Sequence, residues 1–426
     1  MKLLNILFVT IDAGGNIPPV FGFAKQLLER NHNIYFLSEP CLEKAIKNLG
    51  AGFIPFDDYF TKSDRKDDIL KDWNATLLNN PVFDNVIFGP SETLVKQTIK
   101  ASQGHAIDAI VVDILLLPAI IAAEFLQIPK FLLFHMPEYM PGPNKPPGNL
   151  GLSPGQGLFY RIRDKILGKM MVIKFNDYKK QLNKLRLALN LPLLENTIDL
   201  VNNADLRIIQ TLRSFDIPVE PAPSNVRYSG PVLDDPDWVQ TEDWINPWAQ
   251  DDQRPLVIIS FSSTFQNQKK VIQNCLLALE EMEVRGLVTL GLAMENEYFD
   301  IPKNVIMMPS LRHSLVFPNA DLVISHAGHG TIIRALSYGV PLICMPMGRD
   351  QYDNAIKVVR QNCGLKLSAQ SNPAQIKNAI NKILADSNYK IQANRLKNDI
   401  LASQHIEEVV LELENIVSMN NNCPKK

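Results

Sequence analysis

The sequence has almost no excess charge of either sign. Its 43 Lys and Arg against 45 Asp and Glu leave a formal net charge of -2, which gives no electrostatic case for nucleic acid or an anionic membrane. Cysteine is scarce. Cys41, Cys275, Cys344, Cys363 and Cys423 are five in number, odd and never closely spaced, which excludes a disulfide scaffold and suits reduced thiols in a cytoplasmic protein. Long uninterrupted apolar runs are missing too. The stretch 107–134 is broken by Asp113, Glu124 and Lys130, so it reads as strand–helix–strand and no transmembrane segment is expected. The first fifteen residues look superficially like a leader, but Asp12 interrupts them and they read as a first β-strand. No repeat at solenoid periods is present.

What is there is enough for two domains: 426 residues, 46% apolar. Residues 3–10 predict a strand, and the Ala13–Asn16 loop leads to Pro18, which suits the first turn of a helix. Residues 34–37, 109–113 and 130–134 predict further strands, with helices at 41–49 (stopped by Gly50) and 118–126. Residues 57–80 are polar and carry no clear element. Pro137 to Gly155 holds six prolines and four glycines and predicts a long loop of the kind that is often functional. Helices are expected from there to about Leu194, and short strands at 206–209 and 226–228. The proline-rich segment 217–236 is the best linker candidate. A second alternating series follows: strands at 256–260, 287–290 and 304–307, and helices at 269–282, 376–384 and 394–417.

The most informative stretch is 321–351, DLVISHAGHGTIIRALSYGVPLICMPMGRDQ. Leu322-Val323-Ile324 suits a buried parallel strand, and Ile332, Ile333, Leu336 and Tyr338 recur at helical spacing. A strand at 340–345 and a turn at 347–351 follow. Gly328 and Gly330 in the first loop allow close ligand approach and positive φ. The helix beginning near Thr331 leaves its first N–H groups unpaired at the positive end of its dipole, a site for phosphate. Thr331, His326 and His329 add hydroxyl and ring N–H donors. Asp350 and Gln351, one βα unit later, are poor phosphate ligands but good partners for sugar hydroxyls. Together these point to a nucleotide sugar.

At these residues a family resemblance appears. HAGHGT, GVPLICMP and GRDQYDNA resemble the donor signature of the GT-B UDP-glycosyltransferases, glycosyltransferase family 1. The resemblance implies the GT-B fold: an α/β architecture of two Rossmann-like, doubly wound domains facing an interdomain cleft. It implies a pyrophosphate on the histidine–glycine–threonine loop and a sugar on Asp350 and Gln351. Ser260 to Thr264 resembles the family's Ser-x-Gly-Thr segment, which puts Ser263 and Thr264 at the donor, although a plain Ser-rich turn reads equally well. Arg312-His313 aligns with the base-contacting segment, so His313 either holds the nucleobase or sits in a solvated turn. No metal is expected. Asp235-Pro236-Asp237 spells Asp-x-Asp but lies beside the linker and reads as a turn and helix cap. Trp238, Trp244 and Trp248 have helical spacing and read as a packing surface.

The resemblance also implies a general base, a His or Asp in the loop after the first strand. Alignment on Pro18 puts Gly15 there, a departure from the pattern. Three candidates stay open: Asp12 in the same loop, Asp113 at the end of a strand, and His135 at the end of the next. Gly15, His135 and Glu138 are expected around the acceptor. The domains expected are 1–220 for the acceptor, 221–236 as linker and 237–393 for the nucleotide sugar, with 394–418 a helix crossing back. The implied function is an inverting glycosyltransferase. It moves a hexose from a UDP- or dTDP-sugar to a hydroxyl of an apolar small molecule or lipid, with no cofactor, and with peripheral membrane contact if the acceptor is a lipid. The alternatives are a nucleotide-sugar epimerase or hydrolase on the same fold, and a degenerate donor-binding auxiliary protein.

Overall fold

The structure is a computed structural model and describes residues 3–68, 70–71, 81–142, 145–155, 157–235, 239, 244–249, 251–403 and 405–422. It contains two parallel sheets. The first is built from β1 (Asn5–Val9), β2 (Asn33–Ser38), β3 (Gly52–Pro55), β4 (Ala109–Asp113), β5 (Lys130–Phe134), β6 (Leu206–Ile209) and β7 (Val226–Tyr228). Its order is β3-β2-β1-β4-β5-β6-β7. The second contains β8 (Leu256–Ser260), β9 (Arg285–Thr289), β10 (Val305–Met308), β11 (Leu322–Ser325), β12 (Leu342–Cys344) and β13 (Gly364–Lys366), in the order β10-β9-β8-β11-β12-β13. Each order reverses beside its first strand. That leaves one crevice outside the carboxyl ends of β1 and β4 and another outside β8 and β11.

Burial explains the apolar runs. Every residue of β4 and of β8 is buried, because helices cover both faces of a parallel sheet. Alternate residues feed different cores. Leu7, Ile110, Leu132 and Phe134 pack on one face of the first sheet, and Ile6, Phe8, Val111 and Phe131 on the other. The strands that the pattern did not predict, β3 and β13, are short edge strands containing Gly, Pro or Lys. An edge strand is covered less, so its sequence carries less of the apolar signal.

Two boundaries differ from the sequence reading. β7 falls inside the segment 221–236 expected as linker, yet it pairs with β6 through Arg207 and Val226. Its three residues, Val226-Arg227-Tyr228, are themselves not proline and can complete a ladder, so the first sheet extends to Tyr228. The closing helix is also two helices. Ser387–Ala402 packs Ala393, Leu396 and Ile400 into the second core, whereas Ile406–Asn422 packs Val409, Val410, Leu413 and Val417 into the first. The crossing therefore lies between Ala402 and Ile406. Trp244 and Trp248 lean on the second core with ring centroids 6.4 Å apart, and Trp238 lies outside the described residues.

A carboxylate clamps the returning helix. Glu414 accepts from Arg30 Nε at 2.6 Å and Nη2 at 2.8 Å, and its Oε1 is 2.8 Å from His32 Nε2. His32 Nδ1 accepts from the Leu4 N–H at 3.3 Å, so the ring's proton is on Nε2 and points at Glu414. Burial works to raise the Glu414 pKa, but the Arg30 and His32 hydrogen bonds outweigh it and hold it below the usual carboxylate range. Glu414→Ala strands both donors, and the expected loss is about 1–3 kcal/mol in urea unfolding. The exposed control Glu408→Ala should shift stability by less than about 0.5 kcal/mol.

Candidate active site

The carboxyl end of β11 runs into a loop that the chain pins from two sides. Ser325 Oγ accepts the Ala327 N–H at 2.9 Å, and the Ala327 carbonyl accepts Asn354 Nδ2 at 3.1 Å. Left-handed backbone occurs at Ala327, with φ 69°, and not at Gly328, whose φ is -62°. Gly328 is needed for space instead: a Cβ there would stand 2.5 Å from His326 Nε2. The helix His329–Ser337 begins directly afterwards with no side-chain cap. Ile332 is the first residue whose N–H reaches a helical carbonyl, that of Gly328 at 3.1 Å. The amides of His329, Gly330 and Thr331 have no helical carbonyl, and they sit at the positive end of the helix dipole.

Three histidines surround this turn, His326 and His329 buried and His313 half-buried. Burial first, then the charge of Arg349, lowers His326 to about 3. Burial and then Lys357 lower His329 to about 3, and burial and then Arg334 do the same to His313. At neutral pH each is an uncharged ring offering one N–H. His326 Nδ1 and both ring nitrogens of His329 are buried without a hydrogen-bond partner. Such groups are uncommon because each costs about 1–3 kcal/mol, so a cluster at a helix N-terminus marks a place where polar atoms are meant to dock.

The neighbouring loops complete this side. His313 Nε2 is 3.1 Å from Ser260 Oγ and its ring stacks on Phe317 at 4.2 Å, so it belongs to the packed wall and not to a solvated turn. Ser263 is exposed, while Thr264 accepts Arg349 Nη1 at 3.2 Å. Asp350 Oδ2 accepts Asn354 Nδ2 at 2.7 Å. Gln351 is buried: its Oε1 accepts from Met347 N at 2.9 Å and Gly348 N at 3.2 Å, and its Nε2 donates to Gln266 at 2.8 Å. In this conformation the Gln351 amide shapes the loop.

On the opposite side the hub is Asp113, at the end of β4. Its Oδ2 accepts Thr10 Oγ1 at 2.9 Å and Asn16 Nδ2 at 2.7 Å. Its Oδ1 accepts Leu115 N at 3.0 Å and lies 3.4 Å from His135 Nδ1. Burial pushes its pKa up, but His135 and the hydrogen bonds win and hold it ionised. The loop residue that meets Asp113 is Asn16, the N-cap of the helix Ile17–Glu29. Gly15 points into open space. Asp12 is bound elsewhere: Arg65 grips both its oxygens, Nη2 to Oδ1 at 2.8 Å, and Oδ1 also accepts Gly14 N at 2.9 Å.

Glu138, expected at the acceptor, is fully buried in a charge network. Its Oε1 accepts Arg207 Nη1 at 3.1 Å, Lys145 Nζ donates to its carbonyl at 2.7 Å, and its N–H donates to Asp216 at 3.1 Å. Asp216 in turn pairs with Lys357 of the second half at 3.1 Å. Glu138 thus supports the wall and does not line it. Across the cleft, a Cβ at Gly14 would stand 3.7 Å from Thr264 Cγ2, so the loops after β1 and β8 face one another. Asn16, Arg65 and Arg349 escaped the sequence reading. Only Arg349, the cation inside GRDQ, carried a visible signal.

The three depressed histidines make stability depend on pH. Their folded values near 3 lie below the ordinary 6.5, so between these limits the unfolded chain binds protons that the folded chain refuses. Stability is full above about pH 6.5 and falls with acid by about 1.4 kcal/mol per pH unit per histidine. Urea midpoints from about pH 7 to about pH 5 should fall accordingly, and His329→Gln should make the slope shallower by roughly one third.

Comparison with known proteins agrees with this geometry. Residues 274–416 match the family model of the erythromycin biosynthesis protein CIII-like C-terminal domain. The chain is 21% identical over 423 residues to the 4'-demethylrebeccamycin synthase of Lentzea aerocolonigenes, covering 97% of this chain and 99% of that one. Among solved structures, the glycotransferase of kitacinnamycin superposes with a TM-score of 0.76 at 17% identity, covering 98% of this chain and all of that one. The calicheamicin glycosyltransferase CalG4 superposes with a TM-score of 0.73 at 18% identity, covering 98% and 99%. The chain is a glycosyltransferase of GT-B fold whose residues 274–416 match the EryCIII-like C-terminal domain.

Proposed function

We propose that the protein transfers a hexose from a UDP- or dTDP-sugar to a hydroxyl of an apolar small molecule or lipid, with inversion at the anomeric carbon. The observation that carries this reading is the uncapped helix at His329, ringed by buried imidazoles that lack partners. The diphosphate takes the free amides of Gly330 and Thr331, the Thr331 hydroxyl, and the His326 and His329 ring N–H groups. These donors stand ready before reaction and stabilise the charge that grows on the leaving diphosphate. Helix dipole and neutral rings supply what a metal would, so the reading includes no metal and no cofactor. Asp350 faces the sugar.

His135 is the base in this proposal. Asp113 is too enclosed to reach a substrate, and both Asp12 oxygens are committed to Arg65. Nδ1 of His135 faces Asp113, which fixes the ring and leaves Nε2 to accept the acceptor proton as its oxygen attacks the anomeric carbon. A single displacement of this kind inverts the configuration. Asn16 holds Asp113 from the other side, so Asp113 is a positioning residue.

Titration calorimetry with UDP and dTDP should show uptake by the folded protein. Product release across a panel of apolar hydroxyl acceptors should then follow. His135→Ala should lower kcat by about 10²–10⁴ with nucleotide binding retained, whereas Asp12→Asn should keep transfer. No uptake of either nucleotide sinks the donor assignment. Full activity in His135→Ala sinks the base, and uptake without turnover on any acceptor reduces the protein to a binder.

A further inference from the structure

The helix Leu158–Phe175 turns an apolar stripe to the outside. Leu158, Phe159, Ile162, Ile166, Met170 and Ile173 are each between 49% and 73% exposed, on a helix of 18 residues. At about 100° per residue these side chains fall within one arc of about 120°. Arg161 and Lys165 border that arc on one margin with Lys169 just inside it, and Arg163 and Lys174 border the other. The helix's one carboxylate, Asp164, is buried on the far side, where Arg163 meets it at 2.7 Å, and Lys174 pairs with Asp177 at 2.8 Å, so Arg161, Lys165 and Lys169 are the exposed cations that the outward face offers.

The helix is firmly seated. Gly168 lies against Pro141, where a Cβ would be 3.3 Å from the ring's Cβ, and Arg163 Nη2 donates to the Ser153 carbonyl at 2.8 Å. Both partners belong to the proline-rich loop that leaves β5 just after His135. The stripe is therefore presented by packing on the rigid half, beside the wall that holds Asp113.

We propose that this helix docks the protein on an anionic lipid bilayer, lying in the plane of the interface with its apolar stripe inserted. Lys and Arg on both margins extend aliphatic stems along the acyl boundary while their charges reach lipid phosphates. A second copy of the same face is disfavoured, because two-fold pairing sets Arg161, Lys165 and Lys169 of one copy against the same three of the other. Crossing the bilayer is not the mode: no helix among the described residues is long and apolar enough for it. The docking stands or falls independently of sugar transfer.

Flotation of the full chain with vesicles tests it. The protein should float with phosphatidylglycerol–phosphatidylcholine vesicles and remain behind with phosphatidylcholine alone. Ile162→Asn with Ile166→Asn, and separately Lys165→Glu with Lys169→Glu, should each lower the partition about tenfold or more. These side chains are exposed, so thermal unfolding of both variants should match the parent, and Ile166→Trp fluorescence should shift to the blue when anionic vesicles are added. No flotation, equal flotation on neutral vesicles, or unchanged flotation of either double variant overturns the proposal. So does a dimer in light scattering that the Ile162→Asn, Ile166→Asn variant abolishes while vesicle binding is absent.

Discussion

Parallel strands release all their loops at one edge, and that constraint organises this molecule. In the first sheet it sets Thr10, Asp113 and His135 side by side at the ends of β1, β4 and β5. In the second it sets Ser260, His326 and Arg349 around the ends of β8, β11 and β12. Both sheets reverse order next to their first strand, so each has one crevice, and Gly14 against Thr264 shows the two edges meeting.

The electrostatics of the two edges are opposite in kind. On the second sheet the donors are neutral rings and backbone amides, kept uncharged by burial, with Arg349 and Lys357 nearby. Oriented dipoles of this kind need little reorganisation when charge moves near them. On the first sheet a buried carboxylate stays ionised because three hydrogen-bond donors and the His135 ring at 3.4 Å surround it. Those contacts hold it in place beside the His135 ring. Between the edges, the buried chain from Glu138 through Asp216 to Lys357 ties the halves together. Breaking one member of such a chain leaves an uncompensated buried charge, which makes the relative placement of the halves costly to change.

Legibility varied with burial. The central strands were plain because near-continuous apolar runs of four or five residues have few other uses in a soluble chain. β3 and β13 were not, because edge positions tolerate glycine, proline and lysine. Within the loop after β11 the residue types were readable, but the conformational roles were partly exchanged: Ala327 takes the left-handed backbone and Gly328 makes room for a ring. Asp12 and Gln351 illustrate a second limit. Both have the chemistry of site residues, yet local partners, Arg65 in one case and two backbone amides in the other, occupy them.

The sequence by itself determined the two-fold α/β plan, the glycine-bracketed turn before the helix at His329, and the glycosyltransferase signature that follows it. These rest on local pattern: strand periodicity, turn chemistry and the spacing of donors along a few turns of chain. Only the tertiary structure decided that Asn16 and not Gly15 meets Asp113, that His135 stands beside them, and that the last helix returns at Ile406. It also decided that the stripe on Leu158–Phe175 faces outward. Those facts depend on which distant residues touch, and contacts across a hundred residues or more leave no periodic trace in the chain that makes them.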